Sequence, residues 1–315
     1  MPIPIVYIAV VIIWSTTPLT IFYSNHSLSA IAAVNSRMLL AFLVASIITL
    51  TLGRKQFKLR QYWKVYAVSS IGIFPNMPMV YLSASYIPSG LISVLFALSP
   101  FMVAILSTQM ATAQQVSKRQ LACLTLALLG LSMVTISQIE TNTEAWKGVI
   151  LMLGSGFCFA LSNTLIQTYN EKLKTKKETI HPANQLTGSL MFALPGLLIT
   201  WIILDGSQPK FSQTSAIATL YLAIIGSVMG FMAYFYLLSK ISALSVSLIP
   251  LLTPAFALLV GNSLNKEPLT PLMISGTVII MLSLSLFNSQ ISTACMRYTL
   301  HWFAPFKKKR DNVLS

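Results

Sequence analysis

Long apolar runs follow one another along almost the whole chain. A helix needs about 20 apolar residues to cross the ~30 Å hydrocarbon core of a bilayer, and windows of that size select ten segments. The segments span residues 3–22, 29–52, 62–84, 87–110, 119–137, 146–168, 183–204, 215–238, 243–264 and 270–288. Hydrophobic residues form 55% of the chain and charged residues 9%, and a soluble fold could not bury this much apolar surface. The sequence therefore predicts an all-α integral membrane protein that has the lipid bilayer as a partner.

The basic residues lie mainly in the short connections between these segments. The net charge of +14 is therefore interpreted as a topology signal and not as a nucleic-acid binding surface. If the N-terminus is cytoplasmic, 17 of the 21 basic residues fall on the cytoplasmic side. The outer connections then contain only Lys147, Lys210 and Lys266, and Arg37 lies inside a segment. This asymmetry obeys the positive-inside rule, so we expect ten crossings, both termini in the cytoplasm and no nucleic-acid partner.

One apolar pattern occurs twice, as SVLFALSPFMVAIL at 93–106 and SLIPLLTPAFALLV at 247–260. A shift of 154 residues superimposes the two regions without a gap, and the identical pairs are Gly72 and Gly226, Ser85 and Ser239, Ile87 and Ile241, Ser93 and Ser247, Leu98 and Leu252, and Pro100 and Pro254. Five crossings separate the copies, so the second copy is inverted in the membrane, as in many secondary transporters. We expect two inverted five-helix repeats at 1–137 and 138–290, followed by a basic and aromatic cytoplasmic tail at 291–315.

These patterns resemble those of a known family. The aromatic starts IIWSTTP at 12–18 and CFALSN at 158–163, the two proline segments, and NSLNKEPLTPLMISG at 262–276 are similar to the drug/metabolite transporter superfamily, specifically the EamA-type permeases. The resemblance covers nearly all of the chain except its C-terminal tail. It implies a ten-helix permease for a small organic metabolite. In that family an acidic residue closes the fourth helix of each copy; Glu267 matches it, whereas Ala113 stands at the equivalent place in the first copy.

Arg37 is the one ionised side chain inside an apolar segment. It lies about nine residues into the second segment, or ~13 Å along a helix. A buried arginine requires a watery cavity, carbonyl partners or an anion, and two interpretations therefore stand side by side. The side chain either binds a substrate carboxylate, or it is structural and bonds to backbone carbonyls or extends outward to water.

Polar and aromatic side chains of the other segments are candidates for a substrate pathway. Such groups avoid lipid and fit better inside a helical bundle. Each could instead bond neighbouring helices together, and for a single serine or threonine this structural interpretation is the favoured one. It explains four of the candidates less easily, because of their size or the hydrogen-bonding demand of an amide: Trp14, Asn76, Asn163 and Tyr234. The residues assigned to substrate binding are Arg37, Trp14, Asn76, Tyr81, Ser99, Asn163, Gln167, Tyr234 and Thr253. Three further residues are expected in the lining: Ser15, Thr17 and Ser247.

Two prolines are candidate hinges. A proline inside a helix frees the carbonyl four residues earlier and bends the helix, and Pro100 and Pro254 hold matching places in the two repeats. We expect them to bend the two halves in opposite directions during alternating access. The alternative is a static kink that neighbouring groups satisfy. A further pattern, GSVMG at 226–230, indicates close helix packing.

The seven acidic residues and three histidines all lie outside the apolar segments or at their ends. Proton-driven transporters usually place a carboxylate or histidine at depth, so we expect a uniporter or exchanger with little direct proton coupling. A membrane-embedded enzyme would also need such groups at depth, and the chain is therefore not expected to be an enzyme. No catalytic residue, cofactor or metal ion is predicted.

The function expected from these features is secondary transport of a small-molecule substrate. We expect export of an organic metabolite such as an amino acid by alternating access between inverted repeats, and the resemblance implies a bacterial inner membrane. A nucleotide-sugar or phosphate-ester exchanger is the nearest alternative, although it would require several cations in its cavity. A receptor is an alternative of another class, but inverted repeats suit a protein that opens to both sides of the membrane. The sequence leaves the oligomeric state open.

Overall fold

The computed structural model describes residues 2–53, 57–109, 118–139, 142–206, 208–247, 249–266 and 269–287. Over these ranges the chain is predominantly helical and forms no β-strand. This is the structure that a lipid environment favours, because a helix satisfies its backbone polar groups internally. The predicted tail at 291–315 lies outside the described residues, as do Ala113 and Glu267.

The helices form two consecutive sets. The first set is α1 (Ile3–Ser24), α2 (Ala30–Ile48), α3 (Leu59–Ser70), α4 (Asn76–Ser83), α5 (Ser89–Phe96), α6 (Ser99–Gln109) and α7 (Lys118–Ile139). The second set is α8 (Ala145–Thr175), α9 (Pro182–Leu204), α10 (Gln213–Tyr221), α11 (Gly230–Lys240), α12 (Ala243–Val246), α13 (Ile249–Asn265) and α14 (Pro271–Phe287). A π-helix at Thr49–Gly53 follows α2, and a second π-helix at Leu222–Met229 joins α10 to α11.

Six helical stretches of the described residues are long and apolar enough to cross a membrane. They are Ile3–Ser24, Ala30–Thr51, Ser89–Ser107, Ala145–Thr175, Pro182–Leu204 and Gln213–Lys240, and shorter apolar helices lie at Thr125–Ser137 and Pro271–Ser283. Large apolar side chains cover their outer faces. On α1, Ile5, Ile8 and Ile12 are more than half exposed and lie at helical spacing. A lipid environment satisfies such faces, and the chain is an integral membrane protein.

Each of the ten apolar segments falls on one helix or on two or three consecutive helical stretches. The apolar segment at 62–84 is interrupted, because α3 ends at Ser70 and α4 begins only at Asn76. Pro75 precedes α4, and its peptide bond with Phe74 is cis. Proline lacks the N–H that a helix interior uses and disfavours the helical conformation of the residue before it.

The segments that contain the repeated proline pattern are also interrupted. In the first copy α5 ends at Phe96 and α6 begins at Ser99, whereas in the second copy α12 ends at Val246 and α13 begins at Ile249. Each second helix therefore has a proline as its second residue, Pro100 in one copy and Pro250 in the other. Proline is tolerated in the first turn of a helix because the N–H groups there have no intrahelical partner.

The two sets of helices pack mainly against each other. Helix α1 contacts α10, α11 and α13, helix α2 contacts α9 and the π-helix at 222–229, and α4 and α6 both pack on α8. Helix α5 crosses α13, and α7 pairs with α14 at the edge of the bundle. A site between α1, α2 and α13 therefore takes residues from both sets.

Candidate functional site

A cavity lies where the two sets of helices meet. Its volume is about 70 Å³, which is several times what one water molecule requires. Ten of its fourteen lining residues are apolar or aromatic, and the four polar ones are Thr17, Arg37, Ser93 and Thr253. An apolar pocket with a few converging polar groups is the usual form of a small-molecule site.

The cavity occupies one half of the bundle. On α1 its lining runs from Trp14, near the middle of that helix, to Ile21, near its end. On α8 the lining residue is Phe159, which is also near the middle of its helix. The cavity therefore extends from the middle of the bundle toward the end where α1 finishes and α2 begins.

Five rings form an aromatic cluster at the mid-bundle end of the cavity: Trp14, Phe96, Phe159, Phe231 and Tyr234. The Trp14 ring lies 4.8 Å from that of Tyr234, 5.9 Å from that of Phe159 and 6.1 Å from that of Phe231, measured between ring centroids. The Phe96 and Phe159 centroids are 4.8 Å apart. Ring pairs in these geometries contribute about 0.5–1.5 kcal/mol each beyond their buried area. The cluster therefore makes a rigid apolar wall against which a solute can pack.

Arg37 is the cationic side chain of the cavity and is only 1% exposed. Its Nε donates to Ser227 Oγ at 2.8 Å, and its Nη1 donates to Tyr81 Oη at 3.3 Å. The guanidinium carbon lies 5.9 Å from the centre of the Tyr81 ring. Among the described residues, the only ion pair joins Lys147 to Glu144. Within the described part of the chain, Arg37 therefore has hydroxyl and aromatic partners but no carboxylate.

Two glycines of the GSVMG pattern face the site. A Cβ atom placed on Gly226 would lie 3.2 Å from Arg37 Nη2, and one placed on Gly230 would lie 3.0 Å from Trp14 Nε1. The pattern therefore does mark close packing, as predicted. The groups packed against the two glycines are the side chains of Trp14 on α1 and Arg37 on α2. The sequence pattern did not identify these neighbours.

Two of the predicted binding residues hold helices together. Asn76 on α4 donates from Nδ2 to the Ser155 carbonyl at 3.3 Å, and its Oδ1 accepts from Ser155 Oγ at 3.1 Å. Gln167 on α8 accepts from the backbone N–H of Ala243 at 2.8 Å and so caps the start of α12, while its amide donates to Glu171. Neither residue lines the cavity. These contacts match the structural alternative that the sequence left open.

Three other predicted residues are buried behind the lining. Ser99, Asn163 and Tyr234 are each at most 1% exposed. The Asn163 and Tyr234 side chains interact, but Asn163 Nδ2, Tyr234 Oη and Ser99 Oγ have no hydrogen-bond partner of ordinary geometry in the described structure. Tyr234 reaches the site through its ring contact with Trp14. Of the predicted binding residues, the lining contains Trp14, Arg37 and Thr253, and Tyr81 reaches Arg37 directly.

The two predicted hinge prolines have different surroundings. Pro100 is the second residue of α6, whereas Pro254 lies inside α13. Pro254 has no N–H for the Pro250 carbonyl, and that carbonyl instead accepts from Thr253 Oγ1 at 3.0 Å. A gating role for both prolines stays a prediction.

Several site residues were not predicted. Phe96, Phe159 and Phe231 supply much of the aromatic cluster, and Ser227 holds Arg37. One signal was available for Phe159, because the CFALSN motif that contains it was matched with the IIWSTTP motif that contains Trp14. Nothing in the sequence distinguished Ser227 from the other hydroxyls of the apolar segments.

Lipid-facing helices around an apolar cavity, lined by a cation and by aromatic rings, are features of a membrane transporter. The model of the EamA-like transporter family matches residues 1–136 and 146–289. The chain belongs to this family, as the sequence resemblance predicted, and it is a transporter of the drug/metabolite transporter superfamily.

Similar proteins match most of the chain. Protein PagO of Salmonella typhimurium is 26% identical, with 93% of this chain and 96% of that protein covered. A "Probable amino-acid metabolite efflux pump" of the same organism is 23% identical over 62% of this chain and 66% of its own length. One solved crystal structure aligns with a TM-score of 0.66 and 12% identity over 91% of this chain and 97% of the other, which shows a shared fold.

Proposed function

We propose that this transporter exports a small organic metabolite that carries a carboxylate, such as an amino acid. The observation that carries the proposal is Arg37, a buried cation that lines the cavity and has no carboxylate partner among the described residues. An uncompensated charge is costly away from water. A substrate carboxylate beside the guanidinium would compensate it through charge-assisted hydrogen bonds.

The rest of the cavity favours an apolar or aromatic substrate body. The aromatic cluster offers ring faces and edges within the same cavity as Arg37. A planar or branched apolar side chain packs well against such rings. The name of the Salmonella typhimurium relative, an amino-acid metabolite efflux pump, supports the same substrate class and the direction of export.

The transport mechanism that we propose is alternating access between two inverted five-helix halves. Ten crossings with both termini in the cytoplasm of a bacterium place 17 of the 21 basic residues inside, and the family model matches two consecutive parts of the chain. Opening the mid-bundle end would require the aromatic cluster to separate. The prolines at 100 and 254 are the proposed bending points.

Uniport or exchange is the proposed coupling mode. The buried polar side chains of the described residues include Arg37 but no aspartate, glutamate or histidine. A carboxylate or histidine at depth is the usual proton carrier of a transporter. Efflux at a fixed substrate gradient should therefore change less than about two-fold when a pH gradient of one unit is imposed. A steep dependence on the pH gradient would contradict this mode.

The proposal is tested by efflux from proteoliposomes that contain a mixed pool of amino acids and other small carboxylates, with mass spectrometry as the readout. Arg37→Gln keeps a donor for Ser227 but loses the charge, and Lys176→Ala removes an exposed charge as the matched control. We expect selected carboxylates to leave through the intact protein and through Lys176→Ala, and about ten-fold more slowly through Arg37→Gln. Equal efflux through all three proteins would overturn the role of Arg37, and efflux of phosphate esters alone would favour the exchanger alternative.

A further inference from the structure

The π-helix at Leu222–Met229 brings its backbone against the charged side chain of the cavity. The helical N–H of Gly230 reaches the carbonyl of Ile225, five residues earlier, as π-helical geometry requires. Such segments are rare and are found frequently at functional sites. Here the segment contains Ser227, whose hydroxyl accepts from Arg37, and Gly226, which lies beside the guanidinium.

The guanidinium is held at two of its three nitrogens. Nε donates to Ser227 Oγ and Nη1 donates to Tyr81 Oη. In the part of the chain that the structure describes, Nη2 has no hydrogen-bond partner. It lies beside Gly226, where an added Cβ would come within 3.2 Å of Nη2 and 3.8 Å of the Thr17 hydroxyl oxygen.

We propose that Ser227 and Gly226 are positioning residues that present the free Nη2 edge of Arg37 to the substrate carboxylate. This inference rests on the proposed function. Ser227 fixes the rotation of the planar guanidinium through Nε, and Gly226 keeps a methyl group away from the nitrogen that binds the carboxylate.

The effect of each residue follows from the geometry of an arginine fork. Its N–H groups point in fixed directions, so a rotation of the plane moves the free edge away from a carboxylate bound in the cavity. Ser227 is 0% exposed, and water therefore does not replace its hydroxyl readily after removal. A side chain at position 226 would press on Nη2, because a contact at 3.2 Å is tighter than an ordinary van der Waals contact.

The repeat supplies a matched control. Gly72 is the counterpart of Gly226 under the shift of 154 residues. A Cβ on Gly72 would also lie 3.2 Å from its nearest neighbour, which is Ser162 Oγ and not a group of the cavity. Gly72→Ala therefore reports what a methyl group in an equally tight place does to the fold alone.

The test measures saturable efflux of radiolabelled L-phenylalanine from proteoliposomes, with L-phenylalaninamide as a competitor that lacks the carboxylate. We expect Ser227→Ala to raise the KM for phenylalanine about ten-fold and Gly226→Ala to raise it about five-fold, with Vmax within about two-fold. Ser227→Thr keeps the hydroxyl and should restore the KM. Gly72→Ala should leave it unchanged, and the inhibition constant of the amide should stay constant in all variants.

The outcomes separate this inference from the function on which it rests. If Arg37→Gln raises the KM but Ser227→Ala and Gly226→Ala behave like Gly72→Ala, the positioning role is overturned and the proposed function stands. If Arg37→Gln behaves like the intact protein, or if the intact protein shows no saturable efflux of phenylalanine or of any other carboxylate in the mixed pool, both are overturned. A loss of Vmax with a lowered unfolding temperature in detergent, at unchanged KM, would assign Ser227 a purely structural role and would also overturn the inference.

Discussion

The two copies of the repeated segment, 72–100 and 226–254, share an apolar pattern and a proline but have different local structures. Where the first copy begins, the chain leaves the helix in a turn that ends at Pro75. Where the second begins, the chain stays helical as a π-helix that contacts Arg37. Shared hydropathy therefore places both copies in the bundle. The helix breaks where the first copy has Pro75 and continues where the second has Met229.

The proline pattern differs in the same way. In the first copy the helix stops before Ser99 and restarts, so Pro100 lies in a first turn. In the second copy the interruption comes earlier, because Pro250 stands at the place of Phe96, and α13 then continues through Pro254. Phe96 and Pro250 both line the cavity. The halves thus contribute different groups to one site, and a pair of matching residues need not have matching roles.

The largest expected contrast between the halves concerns two asparagines. Asn76 makes two hydrogen bonds with Ser155 of α8, whereas Asn163 Nδ2 has no hydrogen bond of ordinary geometry in the described structure. We expect Asn76→Ala to lower the free energy of unfolding by about 2 kcal/mol, because it leaves the Ser155 hydroxyl and carbonyl without this partner in a dry interior. Asn163→Ala should lower it by less than about 0.5 kcal/mol. Unfolding by sodium dodecyl sulfate in mixed micelles measures both.

A double-mutant cycle sharpens that contrast. Asn76→Ala combined with Ser155→Ala should show a coupling of about 1 kcal/mol, while Asn163→Ala combined with Ser155→Ala serves as the uncoupled control. Equal destabilisation by both asparagine substitutions would show that the two halves use their amides alike. The asymmetry described above would then not extend to these side chains.

The sequence predicted an all-helical membrane protein correctly, because hydropathy over about 20 residues is a strong signal. It also predicted Arg37, Trp14 and Thr253 in the cavity, because a cation, an indole and a hydroxyl beside a proline are unusual inside an apolar segment. It could not separate Asn76 from these residues. An amide can form its hydrogen bonds either with a neighbouring helix or with a substrate in a cavity. Which of the two it faces depends on the rotation of its helix about the helix axis, and the sequence does not give that rotation.

The aromatic lining was missed for a related reason. Phe157 and Phe159 lie two residues apart in the same apolar helix, yet Phe157 is 48% exposed and Phe159 is 2% exposed. A helix that is apolar on every side has almost no amphipathic periodicity to indicate which face turns inward. The π-helix was likewise not predictable from hydropathy, because its sequence LAIIGSVM is as apolar as the α-helical stretches beside it.

A smaller contrast is expected between the two candidate hinges. Pro254 interrupts the hydrogen bonding of α13, whereas Pro100 lies where a helix has no bond to lose. We expect Pro254→Ala to straighten α13, to raise the unfolding temperature in detergent by a few degrees and to lower Vmax about five-fold. Pro100→Ala should change Vmax by less than about two-fold. Equal losses of Vmax in the two variants would instead show that both prolines contribute equally to transport.

The smallest contrast concerns the hydroxyls that precede these prolines. Thr253 Oγ1 donates to the Pro250 carbonyl, which has lost its helical partner because Pro254 has no N–H. Thr253→Val keeps the shape of the side chain and removes this bond, so the free energy of unfolding should fall by about 0.6 kcal/mol, the typical value inside a membrane protein.

Ser99 Oγ is buried without a partner in the described structure, and Ser99→Ala removes a hydroxyl that is already unpaired. Its free energy of unfolding should therefore stay equal or rise by up to about 1 kcal/mol. Opposite signs in the same unfolding assay would establish that repeat-equivalent hydroxyls have different roles, and a decrease for both would show that Ser99 has a bonding role like that of Thr253.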